Sequence, residues 1–126
     1  MTILVPDYAA GLSFYRDILG FDLVEDSDLG GGKRWVVLAS AHGGARVLLA
    51  RAVTEEQRAS IGRQAGGRVG FFLESTDFAA DHRRLEAAGV PFEGPPRVEA
   101  YGHVAVFRDP FGNRWDLLGP AHGADR

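Results

Sequence analysis

The stretch Asp7-Tyr8-Ala9-Ala10, near the start of the chain, returns as Asp77-Phe78-Ala79-Ala80, 70 residues later. Each copy follows a short apolar run and precedes a segment with helical spacing. Further along, Arg46-Val47-Leu48-Leu49 is matched by Arg114-Trp115-Asp116-Leu117, with an offset of 68 residues. An offset that changes so little over a whole segment indicates an internal duplication.

Both copies predict the same order of elements, which is a strand, a helix and three further strands. Asp7 and Asp77 are typical N-caps, because a carboxylate accepts hydrogen bonds from the unpaired amides of the first helical turn. Gly20 and Gly89 are typical of helix ends, where a residue with positive φ stops the helix. Asp109-Pro110-Phe111-Gly112 has the composition of a tight turn and predicts a hairpin between the last two strands. We therefore predict an α+β fold of two βαβββ modules, with curled mixed sheets around a concave cleft.

A chain of 126 residues is long enough for a single domain with one core. We predict one domain over residues 1–126, with modules at approximately 1–52 and 67–119 and a linker at 53–66. In this linker Thr54-Glu55-Glu56-Gln57 matches a capping box and predicts a short helix. The following glycine-rich stretch predicts a flexible connector. It is not a phosphate loop, because no strand–GxxxxGK[ST]–helix context surrounds it.

The composition excludes several classes of function. A net charge of −3 and a pI near 5.8 argue against a nucleic-acid partner, which needs a concentrated basic face. The chain has no cysteine, which excludes disulfide scaffolds, thiolate nucleophiles and cysteine-ligated metals. No apolar run approaches the roughly 20 residues of a membrane span. No secretion signal is recognisable at the start of the sequence, so we expect a cytoplasmic location.

Two segments resemble a known family. DYAAGLSFYRDILGF, from Asp7 to Phe21, and FRDPFGNRWDLL, from Phe107 to Leu118, are similar to the vicinal oxygen chelate superfamily. That group includes glyoxalase I, bleomycin-resistance proteins, fosfomycin-resistance enzymes and extradiol dioxygenases. The resemblance runs from about Thr2 to Leu118. It implies modules that pair within a chain or across a dimer around a U-shaped cavity, and we expect a homodimer.

The resemblance also implies four metal-ligand positions, which family enzymes fill with His, Glu or Gln. A metal at such a site polarises oxygens of the substrate. In this sequence the positions fall one residue before Met1, at Leu48, at Gly70 or Phe71, and at Asp116. Only the last of these can ligate, so we predict that the standard metal site is absent. The alternative is a non-standard site for Zn, Ni, Mn or Fe, with candidate ligands Glu74, His103 and Asp116.

Strand alternation assigns the candidate residues to a face. If Asp116 faces the cleft, Arg114 shares that face and Trp115 packs under the helices. Equivalent strands of the repeat add further side chains, and the neighbouring strands add aromatic residues. The predicted ligand-binding residues are Trp35, Arg46, Leu48, Phe72, Glu74, Tyr101, His103, Arg114 and Asp116.

Each candidate also has an ordinary structural interpretation. Asp116 can be the ion-pair partner of Arg114 or of another arginine, because an unpaired buried charge is costly. Glu74 can be a solvated residue at a strand end, and His103 an exposed or hydrogen-bonded strand residue. Arg34 and Arg46 can bind an anionic ligand or be ordinary strand residues. The aromatic residues Trp35, Phe72 and Tyr101 can belong to the core, and His42, His82 and His122 are expected in solvent.

The missing ligand positions favour a protein that binds a small molecule, of a sequestering or resistance type. The alternative is a metal-dependent lyase, isomerase or dioxygenase of the same superfamily with non-standard ligands. The residues do not support glutathione hemithioacetal chemistry. No catalytic residue is identified from the sequence.

Overall fold

The computed structural model describes residues 1–41 and 44–120. Contacts between residues divide the chain into two compact units, of which the first is Met1–Ile61 and the second starts at Gly62. The α+β fold predicted from the duplication is confirmed, with one four-stranded mixed sheet in each unit. In the described part of the chain, no helix has the length and apolar character needed to cross a membrane.

The first unit begins with a strand and a helix and then forms a meander of strands. Its elements are β1 (Thr2–Val5), α1 (Tyr8–Leu12), a π-helical segment (Ser13–Ile18), β2 (Asp22–Gly30), β3 (Lys33–Ala39), β4 (Arg46–Arg51) and α2 (Glu55–Ser60). The strand order is β1-β4-β3-β2, with β1 parallel to β4 and the other neighbours antiparallel.

Helix α1 starts where the sequence predicts and then changes its pitch. The Asp7 carboxylate accepts a hydrogen bond from the amide of Ala10 at 2.7 Å, which confirms the predicted cap. The amide of Leu19 donates to the carbonyl of Phe14 at 2.7 Å, a five-residue step that is characteristic of a π-turn. Phe14 and Tyr15 of this segment are both buried, and their rings meet edge to face.

The capping box at the start of α2 is also confirmed. The hydroxyl of Thr54 accepts from the amide of Gln57 at 3.1 Å, and the Gln57 side chain accepts from the amides of Val53 and Thr54. This reciprocal pattern satisfies amides that the first helical turn leaves unpaired.

The second unit repeats the order of the first. Its elements are β5 (Val69–Glu74), α3 (Phe78–Ala87), β6 (Arg97–Glu99), β7 (Gly102–Arg108) and β8 (Arg114–Gly119). The strand order is β5-β8-β7-β6, with β5 parallel to β8. Asp77 caps α3 through a hydrogen bond from the amide of Ala80 at 3.2 Å, as predicted.

A buried polar turn joins β7 to β8. One carboxylate oxygen of Asp109 accepts from the amides of Phe111 and Asn113, and the other accepts from the Asn113 side chain at 2.7 Å. Asp109 and Asn113 are both almost fully buried. Because the carboxylate has these donors, its burial is compensated, and the predicted hairpin is confirmed.

The core of each unit lies between the sheet and its helix. In the first unit Ile3, Val36 and Leu49 are fully buried in neighbouring strands. In the second unit Trp115 is buried and stacks on Phe71, with ring centroids 5.0 Å apart. The opposite face of each sheet carries most of the candidate functional residues.

Candidate functional site

The face of the second sheet that points away from α3 is defined by the register of its strands. Gly119 faces α3, because a Cβ there would lie 2.6 Å from Cβ of Phe78. Alternation along β8 therefore turns Trp115 towards the helix and Asp116 away from it. We call the side pointing away from α3 the second open face; it carries Phe72, Glu74, Val106, Arg114, Asp116 and Leu118.

Asp116 lies in the middle of the second open face and is partly buried. Its Oδ1 atom is buried without a hydrogen-bond partner. Burial raises the pKa of this carboxyl above its ordinary value, and the positive charges of Arg97 and Arg114 oppose the rise. An acceptor that loses water without gaining a donor costs free energy. Asp116 is therefore a candidate for contact with a ligand.

Arg114 does not supply the missing partner. Its guanidinium forms a bidentate pair with Glu93 at 2.8 and 2.9 Å and donates to the carbonyl of Gly67 at 3.0 Å. Arg108 donates to the same glutamate at 2.6 Å. These hydrogen bonds hold the pKa of Glu93 below its ordinary value, and the one from Arg114 has the largest effect. The predicted ion pair of Asp116 with Arg114 is thus wrong for this structure.

Phe72 is the neighbour of Asp116 on β5. The two are directly paired in the register of the parallel strands, and Val106 pairs with Asp116 from the other side. The Phe72 side chain is 60% exposed, so its interpretation as a core residue is wrong. Glu74 is exposed at the end of the same strand, in register with Leu118.

His103 does not lie on the second open face, and that prediction is wrong. It pairs with Gly119, and its ring stacks on Phe78 of α3 with a centroid distance of 5.4 Å. Its Nδ1 atom lies 3.2 Å from the carbonyl oxygen of Pro120. The reason is register, since His103 lies three positions before Val106, the partner of Asp116, and an odd offset along a strand reverses the face.

Tyr101 lies just before β7 in an exposed turn rather than within the strand. Its side chain is 68% exposed, so it is neither a core residue nor part of the row that contains Asp116.

Three candidates share the side of the first sheet that points away from α1. A Cβ at Gly11 of α1 would lie 2.8 Å from Leu49, so Leu49 faces the helix and Leu48 faces away. The strand pairing puts Trp35, Arg46 and Leu48 together on this side, which we call the first open face. Trp35 is 43% exposed, so it is not a core residue.

Arg34 was a further candidate for an anionic ligand, and the structure places it elsewhere. It lies on the α1 side, where it forms a bidentate pair with Asp26 and covers the ring of Tyr8 at 5.0 Å. The pair lies beside an open cavity of about 430 Å³ that sequence reasoning did not anticipate. The cavity is lined by Asp26, Asp28, Gly30, Gly31, Gly32 and Arg34.

Comparison with known proteins decides the family. The model of the Glyoxalase/Bleomycin resistance protein/Dioxygenase superfamily matches residues 1–117. The chain belongs to this superfamily. The resemblance found in the two sequence motifs is therefore confirmed.

Proteins of similar sequence or structure match nearly the whole chain. An uncharacterized protein of Shewanella frigidimarina (strain NCIMB 400) is 46% identical over 120 residues, which is 94% of this chain and 89% of that protein. UcmS2, whose crystal structure is known, is 30% identical in sequence to this chain, and the two structures have a TM-score of 0.78. The match covers 94% of this chain and 93% of UcmS2. The crystal structure of TnmS3, an antibiotic binding protein from Streptomyces sp. CB03234, is 29% identical, with a TM-score of 0.74, over 95% and 92% of the two chains.

The ligand positions that the superfamily implies do not form a metal centre in the described residues. Leu48 has no donor atom, and Phe71 packs against Trp115 in the core. Asp116 and His103 lie on opposite faces of the second sheet. Across residues 1–41 and 44–120, no three His, Asp or Glu side chains are grouped to hold a metal ion. The donor set therefore does not fit the divalent metal of the superfamily's enzymes.

His82 differs from the sequence-based expectation. His82 is partly buried, with its ring 4.3 Å from that of Phe92 and its Nε2 atom buried without a hydrogen-bond partner. The expectation that His82 is solvated is therefore wrong. His42 and His122 lie outside the described residues.

Proposed function

We propose that this protein binds a small organic molecule without converting it, as a sequestering or resistance-type member of the superfamily. One observation carries the proposal: the exposed ring of Phe72 lies next to Asp116, whose Oδ1 atom is buried without a partner. Such a departure from good packing and hydrogen bonding is typical of functional sites. The similarity to TnmS3, which is an antibiotic binding protein, supports an antibiotic-like ligand.

The proposed contacts are taken for each unit by itself. On the second open face they are Phe72, Glu74, Arg114 and Asp116, and on the first open face they are Trp35, Arg46 and Leu48. His103 and Tyr101 are left out, because the first faces α3 and the second lies in an exposed turn. A divalent metal is not part of the proposed contact, since His103 cannot join Glu74 and Asp116.

We also propose that the two units make one domain and that the protein is a cytoplasmic homodimer. Strand β2 supports dimerisation, because it is an edge strand of nine residues with almost every side chain exposed. Long open edges tend to pair with another chain. Sedimentation at micromolar concentration tests the dimer, and a single species with the mass of a monomer would contradict it. Cell fractionation tests the proposed location.

A thermal-shift screen against chemically varied antibiotics tests the proposed function. A ligand that binds only the folded state at 100 times its Kd adds about 2.7 kcal/mol to stability and raises the Tm. The bound ligand is then recovered and its mass is measured. We expect at least one antibiotic to raise the Tm and to be recovered unchanged.

Two variants localise the binding seen in that screen. Phe72→Ala should lose most of the affinity, because it removes the exposed ring of the second open face. Val98→Ala is the matched control, since Val98 is an exposed apolar residue of the same sheet that pairs with His103. A screen without a hit, a chemically altered ligand, or equal binding by Phe72→Ala would each contradict the proposal.

A further inference from the structure

The arginines around Asp116 already have carboxylate partners. Arg108 and Arg114 both donate to Glu93, and a nitrogen of Arg97 lies 3.4 Å from a carboxylate oxygen of Glu99. An anionic ligand would have to displace one of these carboxylates before it gained an ion pair. The positive charges near Asp116 therefore do not favour an anion.

Asp116 differs from these neighbours because nothing donates to its buried oxygen. Arg97 and Arg114 influence the carboxylate through their charge, but neither forms an ion pair with it among the described residues. What the site lacks is a hydrogen-bond donor, which a ligand can supply. A donor that also carries positive charge gains the attraction of the carboxylate, and charge-assisted hydrogen bonds are about twice as strong as neutral ones.

The neighbour of Asp116 indicates what the donor is attached to. Neighbouring strands of a sheet lie only about 4.7–4.9 Å apart, and Phe72 is paired with Asp116 across β5 and β8. The exposed ring of Phe72 therefore provides a surface for a ring or apolar group that is bonded to the donor. The face of an aromatic ring also attracts a cation.

We infer that the ligand carries a protonated amine or another N–H donor next to an aromatic or apolar ring system, and that Asp116 binds this donor while Phe72 packs on the ring. The inference rests on the proposed function and names its ligand class. A divalent metal does not fit this position, because it needs several ligands and no group of three His, Asp or Glu side chains lies together in the part of the chain described above.

Three probes with the same ring system separate charge from shape. They are 1-naphthylmethylamine, which is a cation at pH 7, 1-naphthylmethanol, which is neutral, and 1-naphthoate, which is an anion. Calorimetric titration of the full chain gives a Kd for each. We expect the amine to bind about tenfold more tightly than the alcohol, the size of one charge-assisted hydrogen bond, and the naphthoate to bind most weakly.

Two charge-removing variants assign this preference to one carboxylate. Asp116→Asn keeps the shape of the side chain and should bring the amine to the affinity of the alcohol, with the alcohol itself unchanged. Glu86→Gln removes the same charge from the exposed end of α3 and should leave the preference intact. If Asp116→Asn does not fold, the order of the Kd values of the three probes on the parent chain still tests the ligand class.

The failures of this inference and of the proposed function differ. Binding of the amine and the naphthoate with equal Kd, or an amine preference that survives in Asp116→Asn, would overturn the ligand class and leave the binding function standing. Absence of binding by all three probes at millimolar concentration would overturn both.

Discussion

Arg114 and Asp116 lie two residues apart on the same face of β8, yet the Arg114 guanidinium donates to Glu93 and to the carbonyl of Gly67. Glu93 reaches this face because its segment runs beside β7, where its amide donates to the carbonyl of Val106 at 2.9 Å. Asp116 is nearer to Arg114 in sequence than Glu93 is, but its Oδ1 atom is left without a donor. The arginine that shares the second open face with Asp116 thus pairs with Glu93 and not with Asp116.

Glu93→Gln should destabilise the protein. The change leaves Arg108 and Arg114 with a neutral acceptor, and we expect a loss of about 1–2 kcal/mol in the free energy of unfolding at pH 7. Urea denaturation measures it. Glu99→Gln is the control, because its pair with Arg97 is longer and more exposed and should be worth less than about 1 kcal/mol. Equal losses in the two variants would contradict the central role of Glu93.

The effect of Glu93 should depend on pH. Its pKa in the folded protein is lowered by the hydrogen bonds from Arg114 and Arg108. A carboxyl with a depressed pKa stabilises the fold fully above its unfolded pKa, about 4.3, and this contribution is lost as the pH falls through the folded pKa. The difference in the free energy of unfolding between the parent and Glu93→Gln should therefore shrink as the pH is lowered from 7 to 3. A constant difference would contradict the assignment.

Asp116→Asn should raise stability in the absence of ligand. The parent has a buried carboxylate oxygen without a donor, and the substitution removes the charge that is costly to desolvate. We expect a gain on the order of 1 kcal/mol at pH 7. An ion pair with Arg114, as the sequence suggested, would instead make the same change cost about 3–5 kcal/mol. The sign of the change in urea denaturation distinguishes the two.

Divalent metals should not stabilise the protein through Asp116. A bound ion raises the Tm by mass action if it binds only the folded state. His103 lies on the other face and cannot join Asp116 in binding a metal. We therefore expect each of Zn²⁺, Ni²⁺, Mn²⁺ and Fe²⁺ to change the Tm of the parent and of Asp116→Asn by the same amount, relative to the metal-free protein. A metal-induced shift in the parent that disappears in the variant would make a metal-dependent enzyme the better description.

Removal of either helix cap should cost about 1 kcal/mol. Asp7→Ala and Asp77→Ala each delete the side-chain acceptor for an amide in the first turn, that of Ala10 or Ala80. Thermal denaturation measures the loss. Asp22→Ala, which changes an exposed residue at the start of β2, serves as the control. Unchanged melting of both cap variants would show that the hydrogen bonds contribute nothing.

The fold was predictable because its signals are local. The caps at Asp7 and Asp77, the capping box at Thr54 and the turn at Asp109 each act within a few residues, and the duplication ordered them along the chain. The π-turn of the first helix was not predicted, because side-chain spacing alone does not distinguish it from an α-helix over so short a segment.

The face of a candidate side chain was predictable only where alternation runs unbroken along its own strand. Arg114 follows from alternation along β8 and Phe72 from alternation with Glu74 along β5, and both lie on the expected face. The face of His103 depends on the register between β7 and β8, which no local pattern specifies. The role of Glu93 depends on contacts with Arg108 and Arg114, 15 and 21 positions away, and no local pattern signals it.

Gly62→Ala should destabilise the protein far more than a substitution in a flexible connector, which is what the sequence predicts for this stretch. A Cβ at residue 62, where φ is +72°, would lie 1.9 Å from the carbonyl oxygen of Phe111, and backbone atoms cannot move aside easily. Gly67→Ala is the matched control, because its φ is +90° but nothing lies within 4 Å of its Cβ position. The strain of a left-handed conformation alone costs about 1–2 kcal/mol, and we expect Gly62→Ala to exceed that figure because of the clash. Equal free energies of unfolding for the two variants would show that Gly62 does not pack against the Phe111 backbone.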